Sequence, residues 1–472
     1  MMIGKDEMIE EPDNRQTFVT RISRSLLQSP TRVSILGFAG MIGVGTFFLM
    51  LPQASTDKGL GLVNALFTST SATCVTGLTV VDTGQALTLF GHLVILILIQ
   101  VGGLGIMTIS TFFLLIAGRR PSLVGRVIIR DTLTYGEDRD LLSIILDVLK
   151  FTFIIEGIGA ALLFLRFFPG KGVGEALGLS VFHSISAFCN AGFCLFSDSF
   201  VSYQGDWCTN VIISLLIITG GIGFLVLAEL KNRLSFDLRS VFRLSLHSKL
   251  VISVTLILLL SSSLLISLME WKNILAPLSP SKRFLAGFFQ AASARTAGFN
   301  TISVGGLANE TLFFLILLMF IGASPGSCGG GIKTTTIACL GILGLSRMRG
   351  KARPQVFMRT ISYGSVGKAI SIVLVSTVVI IVATLVLLMT EIGEVSHILS
   401  RGRFLEILFE VVSAFGTVGL STGMTAGLSV AGKLIITFVM FIGRLGPLAI
   451  AMAVSRTETS RYFYAEEDIM IG

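Results

Sequence analysis

Four short segments of this sequence share a pattern that is typical of a cation-binding backbone. Each has a glycine with a phenylalanine ten residues before it, a small residue six before it, and Leu or Phe after it. The glycines are Gly77, Gly192, Gly298 and Gly419, spaced 115, 106 and 121 residues apart. Because the chain holds 51 glycines, one such segment could arise by chance. Four copies at similar spacing indicate an internal repeat.

The chemistry that fits these segments is coordination of a cation by backbone oxygens, which can replace its hydration shell. Glycine is needed because successive carbonyls that point the same way require dihedrals that a residue with a Cβ resists. Side-chain identity matters little in such a filter. The four predicted filter segments are Cys74, Val75, Thr76, Gly77; Cys189, Asn190, Ala191, Gly192; Arg295, Thr296, Ala297, Gly298; and Gly416, Thr417, Val418, Gly419.

A short apolar stretch precedes each filter segment, at residues 60–73, 177–188, 284–294 and 404–415. About 11 helical residues rise only ~16 Å, which is half of a bilayer. Each stretch must therefore enter the membrane from one side and return. The C-terminal ends of such half-helices would face the centre, where the helix dipole favours cations.

A second glycine-rich element interrupts the apolar run 311–346, which as one helix would extend ~54 Å across a hydrocarbon core of ~30 Å. The predicted break, at 322–336, falls mid-membrane, so this loop must be covered by protein or lie in the pore. Its residues are Gly322, Ser324, Pro325, Gly326, Ser327, Gly329, Gly330, Gly331 and Lys333. A phosphate loop is the rival interpretation of 326–334, but Ile332 spoils that pattern and the flanks are apolar.

Arg444, Lys333 and Glu156 each lie deep within an apolar run. Arg444 either pairs with Glu156 or a carbonyl to hold helices together, or places positive charge near the ion path and limits ion residence by repulsion. We favour the second role. Lys333 can also simply extend to the cytoplasmic face.

Three further charged residues lie near the filter segments. Asp82 and Asp198 follow filter glycines by five and six residues. Whether they concentrate cations at the pore mouth or are merely solvated stays open. Arg295 is expected to point away from the ion axis and to brace the filter from behind.

The composition indicates that lipid solvates much of this chain. Hydrophobic residues make up 52% of the 472 residues and charged residues only 14%, whereas soluble domains have about 25% charged residues. This excludes a nucleic-acid factor, a disordered scaffold and an ordinary cytosolic enzyme. The six cysteines form no CxxC pair, so neither a disulfide framework nor a zinc site is expected.

Eight apolar runs are long enough to span a membrane, which needs roughly 20 residues. Lys and Arg number 23 in the segments on one side and 10 on the other, which places both termini in the cytoplasm. The same bias accounts for the net charge of +8. The eight runs are 33–51, 86–118, 141–165, 209–228, 250–268, 311–346, 369–390 and 434–455.

We therefore predict an all-α polytopic membrane protein. Four helix–pore-loop–helix repeats, with eight transmembrane helices and four half-membrane pore helices, surround one central cation pore with pseudo-fourfold symmetry. The predicted segments are a cytoplasmic N-terminal segment (1–32), repeats one to four (33–118, 119–230, 231–346 and 347–455) and a cytoplasmic C-terminal tail (456–472).

The filter segments and the glycine-rich element at 322–336 resemble those of the Trk/Ktr/HKT potassium transporter superfamily. The resemblance covers about residues 30–455, rests on long specific motifs and is strongest to the membrane subunits of bacterial Ktr potassium uptake systems. It implies potassium uptake across the bacterial cytoplasmic (inner) membrane. Some plant relatives have serine at the first filter glycine and prefer sodium, so Gly77 implies potassium.

The resemblance also implies partners. These are a second copy in a homodimer and a cytoplasmic ring of KtrA-like nucleotide-binding regulatory subunits, with sodium as an activator or co-ion. It implies that the loop at 322–336 is an intramembrane gate below the filter, since a mobile glycine loop can block a pore and move aside. It adds a gating role for the arginine at 444. No sodium site is evident in the sequence, and no enzymatic cluster is expected.

Two alternatives remain: a sodium- or proton-coupled secondary carrier, and a less selective monovalent cation channel. Carriers also use broken helices, but usually in two repeats with coupling acids. Glu156 is the one deep acid in this sequence, and a carrier would not require four aligned glycines.

Overall fold

The structure, a computed structural model, describes residues 30–57, 59–105, 141–233, 244–396 and 398–446. Within these ranges the chain is mainly helical, and one short hairpin pairs Gln355 with Thr360 and Val356 with Arg359. The longer elements are α1 (Pro30–Met50), α2 (Leu62–Thr73), α3 (Leu89–Leu104), α4 (Leu141–Phe167), α5 (Val173–Phe188), α6 (Trp207–Ile222), α7 (Phe224–Arg233), α8 (Leu246–Met269), α9 (Pro280–Ser293), α10 (Asn309–Phe320), α11 (Thr334–Met348), β1 (Gln355–Val356), β2 (Arg359–Thr360), α12 (Tyr363–Glu391), α13 (Arg403–Gly416) and α14 (Val430–Leu445).

Four helices in the described ranges are long and apolar enough to cross a membrane on their own. They are the first helix of each predicted repeat: α1, α4, α8 and α12. The apolar helices α3, α5, α10 and α11 are shorter, at 12–16 residues. The prediction of apolar helices is confirmed, while half of the predicted spans are shorter or interrupted.

The span predicted at 209–228 is wrong as a straight helix. The chain bends by 98° between α6 and α7. The break falls at Gly223, whose φ of +102° lies in the left-handed region. A partner stabilises the bend, because the Phe224 amide donates to the Gly326 carbonyl at 2.9 Å. Sequence periodicity cannot reveal such a tertiary contact.

Two other second helices, α3 and α14, also end at glycines with positive φ. Helix α3 is followed by Gly105 (φ +85°), and α14 by Gly446 (φ +87°). The rest of their predicted spans, and most of the predicted terminal segments, lie outside the described residues. The predicted boundary between residues 230 and 231 falls inside α7, and that between 346 and 347 falls inside α11.

Side-chain caps fix where several helices begin. Thr88, Ser245, Ser362 and Ser429 each accept a hydrogen bond from the backbone N–H three residues later, at 3.1–3.3 Å. Hydroxyl residues suit this position because the first N–H groups of a helix have no partner within the helix.

The helices pack in a regular order. Each long helix packs on the half-length helix that follows it: α1 on α2, α4 on α5, α8 on α9 and α12 on α13. Helices α3, α6, α10 and α14 also contact the half-length helix of another repeat: α3 packs on α5, α6 on α9, α10 on α13, and α14 on α2. The last contact joins the end of the chain to its beginning, so the packing order is closed.

Candidate functional site

The four glycine segments (residues 74–77, 189–192, 295–298 and 416–419) begin where α2, α5, α9 and α13 end. Their backbone conformation recurs. The residue two before each glycine has positive φ, +57° at Val75, +58° at Asn190, +74° at Thr296 and +50° at Thr417. A positive φ is uncommon for residues with a side chain. Its presence at all four equivalent positions shows a specific backbone path that the surrounding structure holds.

The glycines themselves lie against one another in a closed cycle. A Cβ on Gly77 would lie 2.6 Å from the carbonyl oxygen of Ala191, one on Gly192 2.9 Å from that of Ala297, and one on Gly298 2.6 Å from that of Val418. A Cβ on Gly419 would overlap the carbonyl oxygen of Thr76. Each segment thus meets the next, and the fourth meets the first.

No side chain could be added at these four positions without displacing backbone. All four glycines also have positive φ, between +71° and +92°, which a residue with a Cβ adopts only at a cost. Backbone therefore lines the place where the four segments meet. The other predicted filter residues are all buried: Cys74, Val75, Thr76, Cys189, Asn190, Ala191, Arg295, Thr296, Ala297, Gly416, Thr417 and Val418.

Buried serines hold the segments from behind. The hydroxyl oxygens of Ser71 and Ser413 each accept the N–H of the glycine six residues later, both at 3.1 Å. The Ser186 hydroxyl instead donates to the Phe193 carbonyl at 2.8 Å. These contacts give the small residue of the sequence pattern a function, because it orients the peptide groups around each glycine.

The third segment differs by one residue from the sequence alignment. Ser293, not Ala292, takes the bracing position: its carbonyl accepts the Ala297 N–H at 2.9 Å, and its hydroxyl donates to the Phe299 carbonyl. Likewise Phe289, and not Phe288, is fully buried. The connection between helix and segment is one residue shorter in this copy.

Arg295 lies behind the third segment, as expected. It is 6% exposed, and its Nη2 donates to the Thr255 hydroxyl of α8 at 3.3 Å. The guanidinium therefore points to the long helix and away from the meeting point of the glycines.

A cavity of about 550 Å³ opens next to the glycines. It is lined by all four glycines and by the residues that follow them in each segment. Asp82 and Asp198 both line it, yet each carboxylate has local partners. Asp82 accepts the N–H groups of Gly84 and Gln85, and Asp198 accepts from both the N–H and the hydroxyl of Ser202. Both residues therefore border the cavity and also accept hydrogen bonds from their own loops.

The glycine-rich loop (residues 321–333) connects α10 to α11 on the other side of the glycine segments. Its Gly330 N–H donates to the Thr417 hydroxyl at 2.9 Å, and a Cβ on Gly329 would overlap the Thr296 hydroxyl. The loop therefore lies directly against the third and fourth segments.

The glycine-rich loop also binds the ends of neighbouring helices. The N–H of Ser324 donates to Gly221 O at 3.1 Å, and that of Cys328 to Gly220 O at 3.2 Å. The contacts to α14 run through Gly331, whose N–H donates to Gly443 O at 3.3 Å.

Within the loop, short contacts define a compact turn. Gly322 N–H donates to Ile332 O at 2.8 Å, and the Ser327 hydroxyl to Ser324 O at 2.6 Å. Pro325 lies with its carbonyl against Gly223, where a Cβ would be 2.6 Å away. The break predicted in this helix is present.

Two cationic side chains hold this arrangement. Arg444 donates to the carbonyls of Cys328 in the loop and Gly102 in α3. Lys333 donates to Gly329 O at 2.7 Å, so its side chain returns to the loop, and the alternative of extension to the cytoplasmic face is wrong. Of the two partners considered for Arg444 as a link between helices, Glu156 is wrong, because it accepts from Gln100. The other, a backbone carbonyl, is present.

A family model described as a cation transport protein, TrkH, matches residues 39–463. The chain belongs to the TrkH family. This confirms the resemblance seen in the sequence motifs.

Known relatives cover nearly the whole TrkH-family chain. The Ktr system potassium uptake protein B of Bacillus subtilis is 39% identical over 446 residues, 94% of this chain and 97% of that protein. The potassium/sodium uptake protein NtpJ of Enterococcus hirae is 36% identical over 450 residues, with the same two coverages. The crystal structure of the potassium transporter TrkH from Vibrio parahaemolyticus matches with a TM-score of 0.70 over 89% of this chain and 83% of that one. At 19% identity it supports the fold alone.

Two polar side chains of this TrkH-family chain escaped the sequence reasoning. Glu410 in α13 is fully buried and accepts from Ser421 Oγ (2.5 Å), Thr422 N (3.1 Å) and Thr425 Oγ1 (2.7 Å). Gln100 in α3 donates to Glu156 at 3.2 and 3.3 Å. The available signal for Glu410 was an acid among the apolar residues in the second half of α13.

Proposed function

We propose that this chain translocates potassium ions across the bacterial cytoplasmic membrane through a filter made of the four glycine segments. The observation that carries the proposal is the closed cycle of backbone contacts among Gly77, Gly192, Gly298 and Gly419. Carbonyl oxygens gathered around one point can replace the hydration shell of a cation of suitable size. Transport, rather than catalysis, is the activity that this arrangement supports.

The proposed architecture is four helix–half-helix–helix repeats around one pore, with eight spans and four half-membrane helices. Its support is the closed packing order, in which α14 contacts α2. The cavity next to the glycines would be the outer vestibule. Both termini would then be cytoplasmic, as the distribution of Lys and Arg indicates.

The glycine-rich loop is the proposed gate, and Arg444 is the residue proposed to hold it closed. The loop contacts Thr296 and Thr417 of the filter segments from the side opposite the vestibule, so an ion leaving the filter would meet it. This loop is held by backbone hydrogen bonds and by the side chains of Arg444, Lys333 and Thr417. Its displacement would therefore break these hydrogen bonds and expose the buried side chains of Cys328 and Ile332.

A regulatory partner and a sodium role follow from the relatives. The Bacillus subtilis relative is named as one protein of a Ktr system, which supports a cytoplasmic, nucleotide-binding regulatory ring on a homodimer of this chain. The name of the Enterococcus hirae relative includes sodium, which supports sodium as a co-ion or activator. The same name favours the alternative of a less selective cation pathway.

The deciding experiment measures uptake of radioactive rubidium into potassium-loaded proteoliposomes, with and without the regulatory ring. Wild type should carry rubidium and exclude sodium, whereas Gly77→Ser and Gly298→Ser should admit sodium. Gly178→Ser is the matched control, because it lies in α5 and a Cβ there meets no atom within 4 Å. Flux that both filter substitutions leave unchanged would overturn the filter and favour a coupled carrier. Sodium flux through wild type would favour the less selective pathway.

A further inference from the structure

A buried acid lies beside the gate and has no role in the function proposed above. Glu156 of α4 is 5% exposed. Its carboxylate accepts both contacts of the Gln100 amide and lies 3.7 Å from the Cys189 thiol. These donors are neutral. A charge in a low-dielectric interior is costly without compensation, and a buried acid at membrane depth is by default a candidate functional group.

The two partners of Glu156 lie next to the proposed gate and the proposed filter. Gln100 is two residues before Gly102, whose carbonyl Arg444 binds. Cys189 is the first residue of the second filter segment, and it packs on α3, where a Cβ on Gly103 would lie 2.8 Å from its sulfur.

Cys189 also reaches the glycine-rich loop. Its side chain belongs to the same buried apolar cluster as that of Cys328 in the loop. The carbonyl of Cys328 is the other acceptor of Arg444. Glu156 is thus connected to the loop along two paths, one through Gln100 and α3, and one through Cys189.

We propose that Glu156 is a positioning residue that stabilises the closed loop by holding α3 and the second filter segment against it. This inference rests on the proposed function, because it takes the loop as the gate. The Glu156 carboxyl group meets Gln100 and Cys189 with two oxygens, whereas a glutamine side chain has one oxygen and would turn an N–H group toward the Gln100 amide. Substitution of Glu156 should therefore loosen both paths together, and the loop should leave its position more often.

The test uses the full chain in proteoliposomes without a regulatory ring. We expect Glu156→Gln to raise basal rubidium flux about five-fold, and Gln100→Leu, at a partly exposed position, to act in the same direction. Glu270→Gln is the matched control. Glu270 is a fully buried acid at the end of α8, but it accepts from Asn273 and the Ala308 N–H, which are not part of the loop.

A second readout reports on the loop directly. The rate at which a membrane-permeant maleimide labels Cys328, followed by mass spectrometry of the loop peptide, should rise in Glu156→Gln and Gln100→Leu and stay unchanged in Glu270→Gln. The double swap Glu156→Gln with Gln100→Glu restores the acceptor on the other partner and should return both rates toward wild type. A purely structural effect would not be rescued in this way.

Two outcomes overturn the inference: unchanged labelling of Cys328 in an assembled Glu156→Gln protein, or a swap that behaves like Glu156→Gln alone. If Glu156→Gln fails to assemble, the labelling rate of Cys328 in Gln100→Leu tests the inference instead, and an unchanged rate overturns it. Absence of rubidium flux in wild type with its regulatory ring would instead refute the proposed function. The labelling result distinguishes the two failures, because it does not depend on transport.

Discussion

Arg444, in the last turn of α14, donates a hydrogen bond to the backbone carbonyl of Cys328 in the glycine-rich loop. The same guanidinium donates to the carbonyl of Gly102 at the end of α3. One side chain thereby ties the loop to two helices that are far apart in sequence. Because guanidinium donors are charged and spread over a fixed fork, this contact can hold two carbonyls in one geometry.

We predict that Arg444→Ala raises potassium flux in the absence of a regulatory ring. Hydrogen bonds from a charged donor contribute about 1.5–3 kcal/mol each, so loss of one shifts the closed–open equilibrium by roughly ten-fold or more. Arg444→Lys keeps the charge but cannot span both carbonyls. Its flux should lie between those of wild type and Arg444→Ala. Rubidium uptake into proteoliposomes measures the effect.

Arg166→Ala is the control for this substitution. Arg166 forms an ion pair with Asp206 at 2.9 Å and is 43% exposed, and such pairs contribute little. Its flux should match wild type. Arg444→Ala protein that assembles normally and transports at the wild-type rate would contradict the role of Arg444 in the gate.

We predict that Ser71→Ala and Ser413→Ala weaken ion selectivity. Each removes the acceptor of a buried glycine N–H in a filter segment, and an unsatisfied buried N–H costs about 1–3 kcal/mol. The peptide group should then reorient, so that the ratio of sodium to rubidium uptake rises. Ser261→Ala is the control, because its hydroxyl bonds only within α8 and is exposed. Unchanged ratios in both variants would mean that the serines do not orient the filter.

The sequence was sufficient to predict the elements that depend on local composition. The C-terminal ends of the half-helices α2, α5, α9 and α13 lie within two residues of the predicted C-terminal ends. The break after α10 was also predictable, since Pro325 and its neighbouring glycines cannot continue a helix. These features follow from hydrophobic length and from residues with special backbone dihedrals.

Features that depend on a distant partner were missed. The bend at Gly223 is stabilised by the loop carbonyl of Gly326. This contact joins residues that only the fold brings together, and neither hydrophobic period nor motif spacing encodes it.

The one-residue shift in the third repeat has a local cause. Phe288 and Phe289 both have the residue type of the sequence pattern, and so do Ala292 and Ser293. The structure places Ser293 in the bracing position.

We predict that Glu410→Gln lowers the stability of the chain. The carboxylate accepts from two hydroxyls and one N–H, whereas an amide offers one acceptor oxygen and would turn a donor toward other donors. The expected loss is about 1–3 kcal/mol, seen as a lower Tm by size-exclusion chromatography after heating in detergent. Glu406→Gln, one turn earlier on α13 and partly exposed, should retain the wild-type Tm. Equal Tm values for both variants would contradict this prediction.

The contact between Thr417 and Gly330 joins the fourth filter segment to the loop proposed as the gate. The Thr417 hydroxyl accepts the Gly330 N–H at 2.9 Å. Thr417→Val keeps the shape of the side chain and removes the acceptor, so the loop loses a hydrogen bond while the filter backbone keeps its volume. We predict higher basal rubidium flux and faster maleimide labelling of Cys328, with the sodium to rubidium ratio unchanged.

This combination of results would distinguish an effect on the gate from an effect on the filter. Thr437→Val is the control, because its hydroxyl donates to Lys433 O within α14 at 2.7 Å and contacts neither element. If Thr417→Val instead changed selectivity and left labelling of Cys328 at the wild-type rate, the hydroxyl would serve the filter alone. A gate that touches the filter through a side chain can open without disturbing the ion-coordinating backbone, because the hydrogen bond that breaks is not one of those that hold the carbonyls.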